Sequence, residues 1–276
     1  MNGYRKICTI VGSDKGGVGK SMIATFKVLV HDKAGVPLTV IELDNQRKLS
    51  SALGPERVNL SLAASADLQE ISRNRHAAES FYNPVYIEWT KGPSVTDLGA
   101  NVTTALMSWF RQCDIAELAA EDDIAFQFVA CASPDEQAIK SALTAIREAM
   151  DTLGPAEFYV VLNDLSGTTG FEPYQNNPSF RELLGLSAAR KLQILQVPYC
   201  DSLLLEHGKA HGFNPLQCLE HADELASAAN LDLVSARVHK KKLVNWMRDF
   251  QDAMKPLLSV EEPAYHAAPA SAFAHV

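Results

Sequence analysis

The chain has 276 residues, of which 47% are hydrophobic and 21% charged, as in a globular protein with a sizeable core. Lys and Arg number 25 against 33 Asp and Glu, and this net charge of −8 excludes the basic overall surface of proteins that coat nucleic acid. No apolar run reaches the roughly 18 residues that span a bilayer. Five widely spaced cysteines without a C-x-x-C pair favour reduced thiols, so we expect a cytoplasmic protein that does not bind membranes.

The first 44 residues predict a βαβ unit. Lys6 to Val11 is an apolar run bounded by charge and by glycine, which indicates a buried strand. A glycine-rich loop follows, then a helix from Ser21 to Lys33 that ends before a Gly and a Pro. Leu38 to Leu43 is a second, nearly continuous apolar run, as buried parallel strands require.

The rest of the chain continues this alternation. Residues 45–65 are predicted to be irregular, Ala66 to Ser80 to be helical, and residues 84–92 fit either a strand or a helix. Further strands are predicted at Val95–Leu98, Ile124–Cys131, Phe158–Leu162 and Ile194–Val197, and further helices at Val102–Phe110, from Ser133 to about Met150, and at Leu233–Leu258.

Two conclusions about organisation follow from this order of elements. Strands that alternate with helices indicate an α/β fold, a doubly wound and mostly parallel sheet with helices on both faces. We expect it to form one domain over residues 1–258, followed by an Ala- and Pro-rich tail over residues 259–276 that is predicted to be flexible.

The strongest motif is the segment KGGVGKS, residues 15–21, between the first predicted strand and helix. Its glycines allow backbone N–H groups to turn inward around phosphates, and the helix N-terminus adds partial positive charge. Lys20 is placed to reach β- and γ-phosphates, and the Ser21 hydroxyl to ligate Mg²⁺. Asp14 replaces the first glycine of the common phosphate-loop pattern, and Lys15 is an additional lysine.

Residues 15–21 resemble the deviant phosphate loop of the ParA/MinD family of ATPases, K-G-G-x-G-K-[ST], at every position. The resemblance implies ATP and Mg²⁺ as ligands and a nucleotide-sandwich homodimer, in which the lysine at the position of Lys15 reaches the phosphates of the partner subunit. It also implies a stimulating or cargo protein. The nucleotide-binding residues expected on this basis are Gly16, Gly17, Val18, Gly19, Lys20, Ser21, Met22, Asn163 and Pro198.

Carboxylates at strand ends complete the predicted site, because the carboxyl edge of a parallel sheet faces the ligand crevice. The resemblance places Asp44 near the attacking water and the metal, and Glu42 stands where the family has an Asp. Asp97 is the predicted Mg²⁺ residue after the next core strand, with Asp164 as its rival because the strand before Asp164 is more apolar. The predicted catalytic residues are Lys15, Lys20 and Asp44, and the predicted metal residues are Ser21, Asp44 and Asp97.

Asn163 is expected, from the same resemblance, to read the adenine edge. A side-chain amide offers both a donor and an acceptor, which suits adenine. Pro198 and Asp201 occupy the position of a loop that closes over the base in relatives.

A dense basic patch lies on the last predicted helix: Arg237, His239, Lys240, Lys241, Lys242 and Arg248. It predicts either non-specific binding of DNA phosphates through Arg237, Lys240, Lys241 and Lys242, or simply a solvated helix face. No Lys or Arg follows Lys255, so the basic amphipathic ending of membrane-bound relatives is not expected.

The favoured function is an ATPase switch that dimerises on ATP and positions or partitions a cargo: a plasmid, a chromosome locus or a protein complex. One alternative is an ATP-dependent ligase or synthase on the same fold. Another is a nucleotide-binding module that hydrolyses little, since Glu42 and the polar strand before Asp97 depart from the family pattern.

Overall fold

A seven-stranded sheet, parallel at every pairing, forms the centre of the computed structural model, which describes residues 6–63, 71, 73–164, 167 and 170–260. The strand order is β3-β2-β4-β1-β5-β6-β7. The strands are β1 (Lys6–Gly12), β2 (Thr39–Leu43), β3 (Leu60–Ser61), β4 (Ser94–Leu98), β5 (Ile124–Ala132), β6 (Ala156–Asn163) and β7 (Gln193–Val197).

Helices cover both faces of this sheet. One face carries α3 (Arg75–Thr90), α4 (Val102–Gln112), α5 (Ile115–Glu121), α6 (Glu136–Thr152) and α7 (Pro178–Ala188). The other carries α1 (Lys20–Ala34), α2 (Lys48–Leu53), α8 (Leu203–Ala210), α9 (Pro215–Glu220), α10 (Ala222–Ala228), α11 (Leu233–Ala253) and α12 (Lys255–Leu258). Short 3₁₀ turns lie at Pro55–Arg57 and Glu172–Tyr174.

The core consists of two apolar layers, one on each face of the sheet. Trp89 packs against Trp109, Phe110 and Phe126 in one layer, with ring centroids 5.4–6.1 Å apart. The central strands are buried because helices cover both faces of the sheet, and most of their residues are apolar. The exception is β4, which buries Ser94, Thr96 and Asp97. The predicted doubly wound α/β fold is therefore confirmed.

The predicted irregular stretch 45–65 was wrong in part, because it contains α2, a 3₁₀ turn and the short edge strand β3. The predicted start of the helix at Ser133 was also wrong. Asp135 is the N-cap of α6, and its side chain accepts the Ala138 N–H at 2.9 Å. A carboxylate two residues further on thus replaced the predicted hydroxyl cap.

Three more helix boundaries differ from expectation. Residues 84–90 belong to α3, which begins at Arg75 and so overlaps the end of the predicted helix over Ala66–Ser80. Residues 66–70 and 72 of that prediction lie outside the described residues. The last helix breaks at Met254, two residues before Pro256, so α11 and α12 are separate. The predicted tail lies outside the described residues from residue 261 onward, and no helix in the described ranges is long and apolar enough to cross a membrane.

Candidate nucleotide-binding site

The glycine-rich loop connects β1 to α1, at the carboxyl edge of the sheet. Gly17 and Gly19 have φ of +77° and +100°, in the left-handed region that glycine adopts without strain. A Cβ at Gly19 would lie 2.3 Å from Asn163 Nδ2, so a larger residue would also push the loop away from β6. These glycine conformations are of the kind that lets backbone N–H groups turn inward around an anion.

Lys20 begins α1 and is only 7% exposed. Its Nζ donates to the backbone carbonyl oxygens of Ser13 at 2.7 Å and Lys15 at 2.8 Å. Burial lowers the pKa of Lys20, and nearby carboxylates, Asp97 first, oppose that shift. A buried cation held by neutral carbonyls is a strong attractor for phosphate oxygens, which make stronger charge-assisted hydrogen bonds.

Asp97 lies next to the phosphate loop because β4 pairs with β1, with Val11 opposite Asp97. The side chain is 1% exposed, and neither carboxylate oxygen has a hydrogen-bond partner of good geometry within the described ranges. Burial raises the pKa of Asp97 to about 7, although the neighbouring Ser21 hydroxyl and Lys20 lower it. Such an orphaned carboxylate beside a hydroxyl offers the hard oxygen ligands that Mg²⁺ prefers.

Asp44 directly follows β2, which pairs with β4 on the other side. Its Oδ1 accepts the Gln46 N–H at 3.1 Å, and the residue lines the cleft in front of the loop. A Cβ at Gly99 would lie 2.8 Å from that oxygen, so glycine is what allows the ends of β2 and β4 to come together.

Neither Asp97 nor its rival Asp164 lines the cleft itself. Asp97 lies directly beside Ser21 and Lys20, which do line it, whereas Asp164 Oδ1 accepts the Gly167 N–H at 2.9 Å.

Glu42, which stands where relatives have an Asp, is fully buried and does not line the cleft. Its Oε1 accepts the N–H groups of Leu49 at 2.6 Å and Ser50 at 3.2 Å, and its Oε2 accepts the Ser50 hydroxyl. It therefore caps the first turn of α2. The additional methylene of Glu, compared with Asp, lets the carboxylate reach the N–H groups of Leu49 and Ser50.

The cleft has a volume of about 540 Å³ and brings together most of the predicted nucleotide residues. Predicted residues that line it are Gly16, Gly17, Val18, Gly19, Lys20, Ser21, Met22, Asp44 and Asn163. Lys48 and Lys209 also line it and were not predicted from the sequence. The Lys209 side chain has no hydrogen bond or ion pair with any described residue, so its charge is free to meet a ligand.

Lys209 escaped prediction because its neighbouring glycine argues against a helix, yet α8 includes both residues. A Cβ at Gly208 would lie 2.2 Å from Cys218 Sγ, so the glycine is required for close helix packing. No motif in the sequence indicates Lys209. It is identified only because its unpaired ammonium group lines the cleft in the folded structure.

Asn163 braces the loop: its Nδ2 donates to the Val18 carbonyl oxygen at 3.1 Å. Its predicted contact with adenine is untested and stays a prediction. Pro198 does not line the cleft, and its carbonyl oxygen accepts the Trp246 Nε1–H at 2.7 Å. That bond ties the segment after β7 to α11.

Lys15 is directed away from its own phosphate cleft. Its Nζ donates to Gln137 Oε1 at 2.8 Å and lies 3.9 Å from Asp135 Oδ1, at the start of α6. Its backbone N–H donates to Ser141 Oγ at 3.2 Å. Because the side chain is partly exposed, its charge is available to a second molecule on that side.

The basic residues of α11 divide into two groups. Lys242 forms an ion pair with Asp201, Nζ to Oδ2 2.5 Å, and His239 Nδ1 accepts the Leu203 N–H at 3.2 Å, which secures the start of α8. Arg237, Lys240 and Lys241 have no ion pair or side-chain hydrogen bond within the part of the chain that is described.

A parallel sheet with a phosphate loop between β1 and α1 and a carboxylate on the adjacent strand is the architecture of a P-loop nucleoside triphosphatase. No family model matches the chain, and no curated protein does. The chain is similar to the MinC:MinD cell division protein complex of Aquifex aeolicus at 15% identity and a TM-score of 0.43, over 92% of this chain and 98% of that one.

Two other solved structures show a similar likeness. MinD cell division protein from Aquifex aeolicus is 16% identical with a TM-score of 0.42, over 87% of this chain and 97% of that one. A nucleotide-binding protein from Archaeoglobus fulgidus in complex with ADP is 17% identical with a TM-score of 0.43, over 75% and 88%. These values are low, so the fold assignment rests on the strand order and the position of the phosphate loop.

Proposed function

We propose that this protein is a Mg²⁺-dependent ATPase switch that dimerises when it binds ATP and separates after hydrolysis, and so positions or partitions a cargo. The observation that carries the proposal is Asp97, a buried carboxylate without a hydrogen-bond partner of good geometry in the described chain, beside Ser21 and Lys20. An unpartnered buried carboxylate is costly unless a cation or a proton satisfies it.

The residues of the cleft, together with the buried Asp97 beside it, divide the proposed chemistry among them. The loop N–H groups and Lys20 bind the phosphates, with phosphate oxygens taking the place of the carbonyls that Lys20 now contacts. Ser21 and Asp97 would hold Mg²⁺, which supplies positive charge to the β- and γ-phosphate oxygens when bound. Asp44 Oδ1 accepts the Gln46 N–H, and the second oxygen of Asp44 would accept a hydrogen bond from water and orient it.

The dimer is supported by the direction of Lys15. Its side chain reaches the N-terminus of α6 instead of its own cleft, so its ammonium group is available to the phosphates of a second subunit. A cation placed on developing phosphoryl charge from outside accelerates such reactions by orders of magnitude. In this arrangement, bound ATP would contact both subunits and so stabilise the dimer.

The presence of Glu42 where relatives have an Asp does not favour the alternative of a nucleotide-binding module that hydrolyses little ATP. Glu42 caps α2, and Asp44 and Asp97 both lie at the ends of strands next to the phosphate loop. The proposed function therefore includes ATP hydrolysis. This proposal can be tested without knowing the cargo.

The nucleotide site is tested by Lys20→Ala in isothermal titration calorimetry with ATP and Mg²⁺. We expect the variant to lose ATP binding because the phosphates lose their buried cation. Lys33→Ala, which removes an exposed lysine from the far end of the same helix, should bind as the wild type does. An unchanged affinity in Lys20→Ala would show that the loop is not a phosphate site.

A further inference from the structure

The outward side of α11 presents an unusual mixture of side chains, which we call the basic-apolar face. Leu233 and Val234 are 71% and 72% exposed, and Val238 and Val244 are about half exposed. Arg237 and Lys241 lie between them. The face is Leu233, Val234, Arg237, Val238, Lys241 and Val244, at the three- and four-residue spacing that puts side chains on one side of a helix.

The helix that carries this face is firmly held. Its inner side buries Trp246 and Phe250 against Phe26 of α1, with ring centroids 5.7 and 3.9 Å apart. Trp246 also donates to the Pro198 carbonyl oxygen, and the Ser202 hydroxyl donates to the His239 carbonyl oxygen at 2.8 Å. The outer face is therefore presented in a fixed position, and a ligand would not have to order it.

The apolar part of the face is concentrated. Nine large apolar side chains are exposed in the described part of the chain, and four of them lie on this one helix. Scattered exposed apolar residues need no explanation, but an apolar stripe along both sides of Arg237 and Lys241 on one helix face is typical of an interaction site. Burial of this stripe would be favourable only against another apolar surface.

The cations of the face are costly to the helix itself. Arg237 and Lys241 are four residues apart, a like-charge spacing that destabilises an isolated helix. Neither has an ion pair or a side-chain hydrogen bond with the described residues. The pair of cations therefore does not stabilise α11 itself, whereas it would stabilise a complex with an acidic partner.

We propose that the basic-apolar face docks an acidic amphipathic helix of another protein, with carboxylates along the middle of its contact stripe and apolar side chains at the edges. The complementarity is direct: carboxylates pair with Arg237 and Lys241, and apolar side chains cover the flanking Val and Leu residues. The face spans residues 233–244, about 18 Å at 1.5 Å per residue, which about three turns of a partner helix would match.

Duplex DNA and an anionic membrane are the rival occupants. DNA phosphates would pair with the cations but leave the aliphatic stripe against water, so the stripe would add nothing to affinity. A membrane would have to take up mostly short Val side chains, with Asp249 and Asp252 exposed at the other end of the same helix. A protein helix uses both parts of the face.

The test uses the full chain and a fluorescent synthetic 18-residue helical peptide with Leu at the apolar positions and Glu between them, measured by fluorescence anisotropy. Val234→Asn with Val238→Asn removes half of the stripe, and Arg237→Glu with Lys241→Glu reverses the charge. All four side chains are exposed, so thermal unfolding of both double variants should match the wild type. The same peptide with Lys in place of Glu, a 20-base-pair random duplex, and phosphatidylglycerol vesicles serve as competing probes.

We expect the Glu peptide to bind the wild type, each double variant to lose at least tenfold in affinity, and the Lys peptide not to bind. Loss of binding with the charge variant alone would mean that the apolar stripe contributes nothing, which overturns the proposal. Tighter binding of the duplex or of the vesicles, unaffected by Val234→Asn with Val238→Asn, would assign the face to that rival. Failure of every probe would leave a solvated helix face and end the proposal.

Discussion

The charge of Asp97 is the most costly feature of the metal-free site, because the carboxylate is buried without a partner of good geometry in the described chain. Its pKa is raised from 3.8 in the unfolded chain to about 7 in the folded one. The folded state thus holds a proton that the unfolded state has released, and this contribution to stability is present below about pH 4 and lost as pH rises through about 7.

Asp97→Asn should therefore remove this pH dependence and make the metal-free protein more stable at neutral pH, on the order of 1–4 kcal/mol. Urea unfolding between pH 4 and pH 8 in EDTA measures it, with Asp164→Asn as the matched control. The same variant should lose the Mg²⁺ dependence of ATP affinity in calorimetry. Equal pH profiles for Asp97→Asn and wild type would contradict the assignment of the buried charge.

Lys209 is the residue that the cleft adds to the sequence-based site. Its free ammonium group lines the same cavity as Lys20, so it should contribute one charge-assisted contact to a bound nucleotide. Lys209→Met should weaken ATP binding about tenfold or more, measured by calorimetry in Mg²⁺. Lys191→Met, which removes an exposed lysine outside the cleft, is the control, and equal affinities for the two variants would remove Lys209 from the site.

At the scale of elements, the capping of α2 by Glu42 fixes the segment that carries the cleft residues between β2 and that helix. Glu42→Asp keeps the charge but withdraws the carboxylate from the Leu49 and Ser50 N–H groups. We expect the free energy of unfolding to fall by about 1–2 kcal/mol, measured by urea denaturation. Glu121→Asp on the exposed end of α5 should change it by less than about 0.5 kcal/mol, and a similar small change in Glu42→Asp would mean that the cap is not needed.

The elements also show what the sequence could and could not predict. Six of the seven strands described and the phosphate loop were predictable because apolar runs and a contiguous motif are local signals. The two-residue edge strand β3 is too short to give such a signal. Glu42 could not be interpreted as a cap, since α2 lies beyond the strand that carries Glu42 and has only six residues, too few for a helical pattern to stand out. Lys209 lines the same cleft as Lys20, and Lys15 contacts Gln137. Both pairs are more than about 120 positions apart in the chain, so only the folded structure reveals them.

At the scale of the whole molecule, the central claim is that ATP joins two copies of the chain through Lys15. Asp44→Ala should bind ATP but leave it unhydrolysed, so the bridging nucleotide persists and the dimer is trapped. Lys15→Ala should also bind ATP, held by Lys20 and the loop N–H groups, but without a cation that reaches the second subunit. A metabolic enzyme with separate active sites has no reason to respond differently to these two substitutions.

The most direct measurement is light scattering of both variants in ATP and Mg²⁺, after calorimetry has established that each binds ATP. The account predicts twice the chain mass of 30.1 kDa for Asp44→Ala and a single chain mass for Lys15→Ala. The same mass for both variants would contradict the role of Lys15 across the subunit boundary, and with it the dimerisation switch.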